Sequence, residues 1–112
     1  MLYLGLDVHS KWTTIKGFNP ETGEVVEYRQ VSNQPEAMAA VLRDLPGPLH
    51  GVMESGTNAW AMYRVLEPLF SRLVIANPTH LWDRKRDRGA KTDRRDAFRM
   101  AQQLHRGEIK GI

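Results

Sequence analysis

Leu2-Tyr3-Leu4-Gly5-Leu6-Asp7-Val8 opens the chain as a strand, and its pattern decides the fold. Leu2, Leu4, Leu6 and Val8 alternate with Tyr3, Gly5 and Asp7, the period-two signature of a strand with two different faces. Trp12 to Phe18, rich in Thr and Ile, reads as a second strand. Asn19-Pro20-Glu21-Thr22-Gly23 has turn chemistry, and Val25 to Val31 completes an antiparallel meander. A helix is expected from Asn33 to Leu45, with Pro35 in its first turn and Met38, Val41, Leu42 and Leu45 along one side. Pro46-Gly47-Pro48 stops it.

Leu49 to Glu54 is short and apolar, as a buried strand would be. Thr57 to Phe70 is expected to be helical, with Ala59, Met62, Tyr63, Leu66 and Leu69 on one face and Trp60 in the core. Pro68 should kink or end it, because proline lacks a backbone donor. Arg72 to Ala76 reads as the last strand, closed by Asn77-Pro78. A polar, basic connection leads to a final helix from Asp93 to His105, with Gly107 as its C-cap. The order is βββαβαβα, an α/β fold with a five-stranded mixed sheet and helices on both faces. Right-handed crossovers make the fourth strand parallel to the first, so that Asp7 and Glu54 end neighbouring strands. Ligands of open α/β sheets bind outside such ends.

The 112 residues make one domain, with 41% hydrophobic and 26% charged residues and no cysteine. Disulfides, thiolate metal sites and cysteine nucleophiles are thereby excluded. No apolar run approaches the roughly 18 residues of a membrane span, and no signal-peptide pattern opens the chain. A cytoplasmic protein is expected. Net charge is +3, yet Arg84 to Arg99 alone carries +5 and the remainder −2. Arg84, Lys85, Arg86, Arg88, Lys91, Arg94, Arg95 and Arg99 form a basic block suited to a polyanion such as nucleic acid. A solvated charged loop is the competing account, opposed by the interleaved acids and the helix that follows.

Within that block, Asp93 and Asp96 stand three apart on the final helix, with Cβ atoms roughly 5–6 Å apart. Asp93, Asp96, Ala97, Met100, Ala101 and Leu104 share an arc of roughly 140°, so both acids top the apolar stripe that should face the sheet. Helix capping by Thr92 or Asp93 would account for one acid but not for Asp96. Four carboxylates converging in one cleft repel unless cations compensate. Hard oxygen donors suit Mg²⁺ or Mn²⁺, and two such ions about 4 Å apart can activate a nucleophile and stabilise a leaving oxygen at phosphorus. The neighbouring Arg and Lys would hold the phosphate backbone. His9, two residues past Asp7, reads as a turn residue before a ligand. Ser55-Gly56-Thr57-Asn58 could receive a phosphate or simply cap a helix. Trp82 suits an interface or stacking position.

Gly5-Leu6-Asp7-Val8-His9-Ser10-Lys11, Met53-Glu54-Ser55-Gly56, Asn77-Pro78 and Lys91-Thr92-Asp93-Arg94-Arg95-Asp96-Ala97 together resemble the N-terminal domain of the DEDD-type insertion-sequence transposases, the group that includes the Piv and MooV invertases. The resemblance spans essentially the whole chain, and the Lys-Thr-Asp-x-x-Asp-Ala block is its most specific part. It implies a RuvC-like, ribonuclease H-type fold over residues 1–107, with 108–112 starting a linker to a further domain. It implies that Asp7, Glu54, Asp93 and Asp96 are the catalytic, metal-binding tetrad for Mg²⁺ or Mn²⁺. It also implies DNA as substrate, a serine in a downstream domain, a structured guide RNA in several members, and homo-oligomers. On this reading residues 1–112 fold and bind metal and nucleic acid without completing recombination alone.

Two other readings stay open on the residues. One is a non-catalytic RNA- or DNA-binding module built on the basic block. The other is the actin-like ATPase group, whose opening βββ unit also carries an early Asp and a phosphate loop. That group has no Lys-Thr-Asp-x-x-Asp helix.

Overall fold

The computed structural model describes residues 1–54, 56, 59–76 and 93–109, with the backbone alone for 93–96. Its elements are β1 (Leu2–Val8), β2 (Trp12–Phe18), β3 (Val25–Ser32), α1 (Pro35–Arg43), β4 (Leu49–Glu54), α2 (Ala59–Leu66), β5 (Arg72–Ala76) and α3 (Asp93–His105). A 3₁₀ turn over Glu67–Leu69 prolongs α2, as Pro68 demands: with no N–H to donate, it leaves the α pattern one turn from the strand. The sheet order is β3-β2-β1-β4-β5. The meander β1-β2-β3 pairs antiparallel, whereas β4 and β5 are added parallel to β1 through helical crossovers. This is the mixed sheet of a ribonuclease H-like fold.

Alternation along the strands sorts the core into two layers. Leu2, Leu4 and Leu6 join Leu49, Met53, Leu73 and Ile75 against α1 and α2, where Met38, Leu42, Met62 and Leu66 are buried. The opposite face of the sheet carries Tyr3, Val52, Val74 and Ala76, covered by Met100 and Leu104 of α3 and by Ile109. Gly5 belongs to this second face. A Cβ there would sit on the Ala97 carbonyl oxygen and 3.1 Å from its Cα, so the helix backbone lies directly on the strand. Gly51 plays the same part on the first face, where a Cβ would strike the Phe70 ring. The stripe Ala97, Met100, Ala101 and Leu104 is buried as its spacing requires.

The C-terminal end of α3 closes as a Schellman turn. Gly107, at φ 74°, donates to the Leu104 carbonyl at 3.1 Å, and Glu108 donates to that of Gln103 at 3.0 Å. The turn folds Ile109 back onto Val52 and Val74.

Three expectations need correction. Helix α1 is shorter than the span Asn33 to Leu45, because Asn33 is engaged in a turn described below and Gln34 has extended backbone. Helix α2 gives way to the 3₁₀ turn after Leu66 rather than continuing to Phe70, and its expected start at Thr57 lies outside the described residues. Trp60 lies outside the core: it is 49% exposed on the side of α2 away from Met62 and Leu66. With eight residues and a buried stripe of Ala59, Met62 and Leu66, α2 has no room inside for an indole.

Gly5→Ala is expected to cost about 3 kcal/mol, the upper end for overpacking a well-filled core. The displaced element is backbone, which cannot rotate aside. Urea unfolding measures the loss, and Ala97→Gly in the same background should recover little of it because the clash is with the carbonyl.

Candidate functional site

Asp7 and Glu54 occupy the carboxyl ends of β1 and β4, which run parallel with Leu6 opposite Met53. One further step in that register sets Asp7 beside Glu54. Both follow the parity of the second face, Asp7 with Gly5 and Tyr3, Glu54 with Val52. The sequence-based pairing of these two acids therefore holds in the sheet. Both are partly buried, where their mutual repulsion is less screened than in open water.

Asp7 is held from the side by its own hairpin. Its Oδ2 lies 3.2 Å from His9 Nε2, with the two side chains 21% and 32% exposed. The His9 ring rests against Trp12 at 4.0 Å, tilted by 38°. The turn itself is closed by main chain and by one distant side chain. His9 N donates to the Trp12 carbonyl at 2.8 Å, and Asn33 Nδ2 donates to the His9 carbonyl at 2.7 Å. Thr13 Oγ1 donates to Asn33 Oδ1 at 2.6 Å, and Asn33 N donates to the Lys11 carbonyl at 3.1 Å. Thr14, opposite Asp7 on β2 and 2% exposed, walls the other flank.

Two of these roles differ in how readable they are in the sequence. His9 shows its signal, standing two residues past Asp7 just beyond the end of β1. Asn33 gives none, because its partners lie 20 and 24 residues upstream.

Asp93 and Asp96 lie in the first turns of α3, and their side chains fall outside the described residues, as do those of Arg94 and Arg95. Arg84, Lys85, Arg86, Arg88, Lys91, Trp82, Ser55, Thr57 and Asn58 are also outside them. Arg99 is half-buried on α3. Among the described residues no group of three His, Asp or Glu side chains forms a metal-holding cluster. Among them, too, no helix is long and apolar enough to cross a membrane.

The lower part of α3 is locked by rings. Lys16 Nζ stands 5.2 Å over the Phe98 ring, Phe98 packs on Phe18 at 5.8 Å, and His105 meets Tyr3 edge-on at 4.8 Å. These contacts fix the direction of the helix: Ala97 rests on Gly5 at the middle of β1, and His105 on Tyr3 near its start.

Asn33→Ala is expected to lower stability by about 1–3 kcal/mol, since the Thr13 hydroxyl and the His9 carbonyl each lose a part-buried partner. A thermal melt reads the loss directly.

A family model described as a transposase, the DEDD type of the IS110 insertion sequences, matches residues 4–112. No curated protein matches the chain at a significant level.

Proposed function

We propose a reaction for this chain from a plain premise: it belongs to the DEDD transposase family of the IS110 insertion sequences. The proposed activity is divalent-metal-dependent cleavage and exchange of DNA strands, with Asp7, Glu54, Asp93 and Asp96 holding Mg²⁺ or Mn²⁺. The observation that carries it is the pairing of Asp7 with Glu54 on one face, at the carboxyl ends of adjacent parallel strands.

The run of α3 supports the other half of the tetrad. Asp7 stands two residues past Gly5, about 7 Å along the strand. Asp93 stands four residues before Ala97, about 6 Å along the helix. Because Ala97 sits on Gly5 and the helix runs back towards Tyr3, both advances have the same direction. The first turn of α3 is thereby level with Asp7. Two part-buried acids on neighbouring strands, joined by two more on that turn, suit a hard divalent cation as donors.

The bound ion would supply Lewis-acid charge at the phosphate and lower the pKa of an attacking hydroxyl. The chain's own residues do the rest. Glu54 and Asp7 set the two strand-end donors, and His9 fixes the Asp7 carboxylate through Oδ2. The basic residues from Arg84 to Lys91, with Arg94, Arg95 and Arg99, hold the DNA backbone by charge, giving affinity without sequence readout. The family resemblance extends the proposal to cytoplasmic action, a structured guide RNA, self-association, and a serine in a downstream domain that completes strand exchange.

Nicking of supercoiled DNA in Mg²⁺ or Mn²⁺ tests the site. Asp93→Ala with Asp96→Ala, and separately Glu54→Gln, are expected to lower nicking and manganese affinity by more than about 100-fold, beyond the 10–100-fold typical of outer-shell changes. DNA binding should persist or strengthen as acids leave a basic surface. Nicking that survives chelation, or that is unchanged in the double variant, would refute the assignment.

A further inference from the structure

The pairing of β3 with β2 slips at one place. Val31 stands opposite Thr13 and Tyr28 opposite Ile15, so Arg29 and Gln30 together face the single residue Thr14. Gln30 has φ 55°, a left-handed conformation uncommon outside glycine. The bulge changes which way the side chains point. Tyr28 and Val31 are three apart, a spacing that sets side chains on opposite faces of a regular strand. Both nevertheless pack on the first-face core. The extra residue turns Arg29 and Gln30 together onto the second face, where both are exposed. A contact of Arg29 agrees: its Nε donates to Glu27 Oε2 at 3.3 Å, and Glu27 pairs with Lys16, which lies over Phe98 of α3.

Register places the bulge relative to the acids. Asp7 is opposite Thr14, and Thr14 is opposite the bulge, so the three form one row across the second face. Two interstrand steps of about 4.8 Å set the bulge roughly 10 Å from Asp7, the axial length of about three nucleotide steps of one DNA strand. Bulges beside active sites re-aim side chains. They also protect exposed sheet edges, a use met at any level of the strand and by any polar residue. Edge protection does not call for a cation and an amide on the face of the acids and level with Asp7.

The chemistry of the pair says what it takes. A guanidinium grips a phosphate through two parallel N–H bonds, and an amide can donate another. The Glu27 carboxylate is a weak rival, since the pair is 59% exposed at Arg29 and 26% at Glu27, and such surface pairs exchange readily. On the second face of β2 and β3, Lys16 and Arg29 outnumber Glu27, leaving a positive balance.

We infer that Arg29 and Gln30 of the β3 bulge hold a phosphate of the DNA backbone close to the one that is cut. This rests on the DNA-processing reading above and deepens it. The two are positioning residues, and bond breaking stays with the acids.

The test is binding of the chain to a labelled duplex of about 20 base pairs over a range of salt concentrations, with a thermal melt of each variant. Arg29→Ala is expected to weaken binding roughly ten-fold and to lower the salt slope by about 0.9, the share of one phosphate contact, with little change in Tm. Arg29→Lys should keep the slope and lose part of the affinity, because the charge stays and the fork is lost. Gln30→Gly relieves the left-handed backbone, so Tm should rise while affinity falls about two-fold at an unchanged slope. Unchanged affinity and slope in Arg29→Ala would overturn the inference and leave the DNA reading intact. Self-association gained by Arg29→Ala at unchanged DNA affinity would assign the bulge to edge protection and also overturn it. Absence of duplex binding by the unaltered chain would overturn both.

Discussion

The contact between the backbone of α3 and β1 at Gly5 and Ala97 is the constraint on which the rest of the arrangement depends. With no side chain at Gly5, the helix settles onto the strand itself rather than onto a layer of side chains above it. The small Ala97 and Ala101 keep that approach close, and both are fully buried. Everything nearer the helix start then follows from rise per residue. By that rise the first turn of α3 would come level with the end of β1, as the proposed site requires. A bulkier residue at either position would lift the helix off the strand.

Rings and a glycine cap hold that placement. The Lys16–Phe98–Phe18 and His105–Tyr3 contacts set the rotation of α3, and Tyr3 in turn stacks on His50 of β4 at 4.9 Å. The positive φ of Gly107 turns the chain so that Ile109 closes the layer over Val52 and Val74. On the other face α1 and α2 cover Leu4, Leu6 and Met53, so the central strands are buried from both sides. That double cover stiffens the strand ends that carry Asp7 and Glu54. A metal site gains from such stiffness, since like charges must be held together before the cation arrives.

Much of this is legible in the sequence, and the physical reason differs by element. The bounds of β1, β2, β4, β5 and α3 are readable because alternation, turn residues and the 3.6-residue stripe agree there. Asp7 and Glu54 are readable as partners because topology and parity both bring them together. The start of α1 is not. Asn33 has the local chemistry of a helix cap, but Thr13 and the His9 carbonyl, far upstream, claim its amide. Trp60 has the composition of a core residue, yet a buried stripe one residue wide on a two-turn helix excludes it. His9 looks like a turn former and is one, and the same turn delivers its ring to Asp7.

The central claim is that Asp7, Glu54 and the first turn of α3 enclose one cation site. Manganese-soaked crystals, with diffraction recorded at the manganese absorption edge, test it most directly. One or two anomalous peaks within about 2.2 Å of carboxylate oxygens from Asp7, Glu54 and Asp93 or Asp96 are the expected result, with lower occupancy in competing magnesium. A strong peak elsewhere, or Asp7 and Glu54 bare of metal while Asp93 binds it alone, would contradict the account.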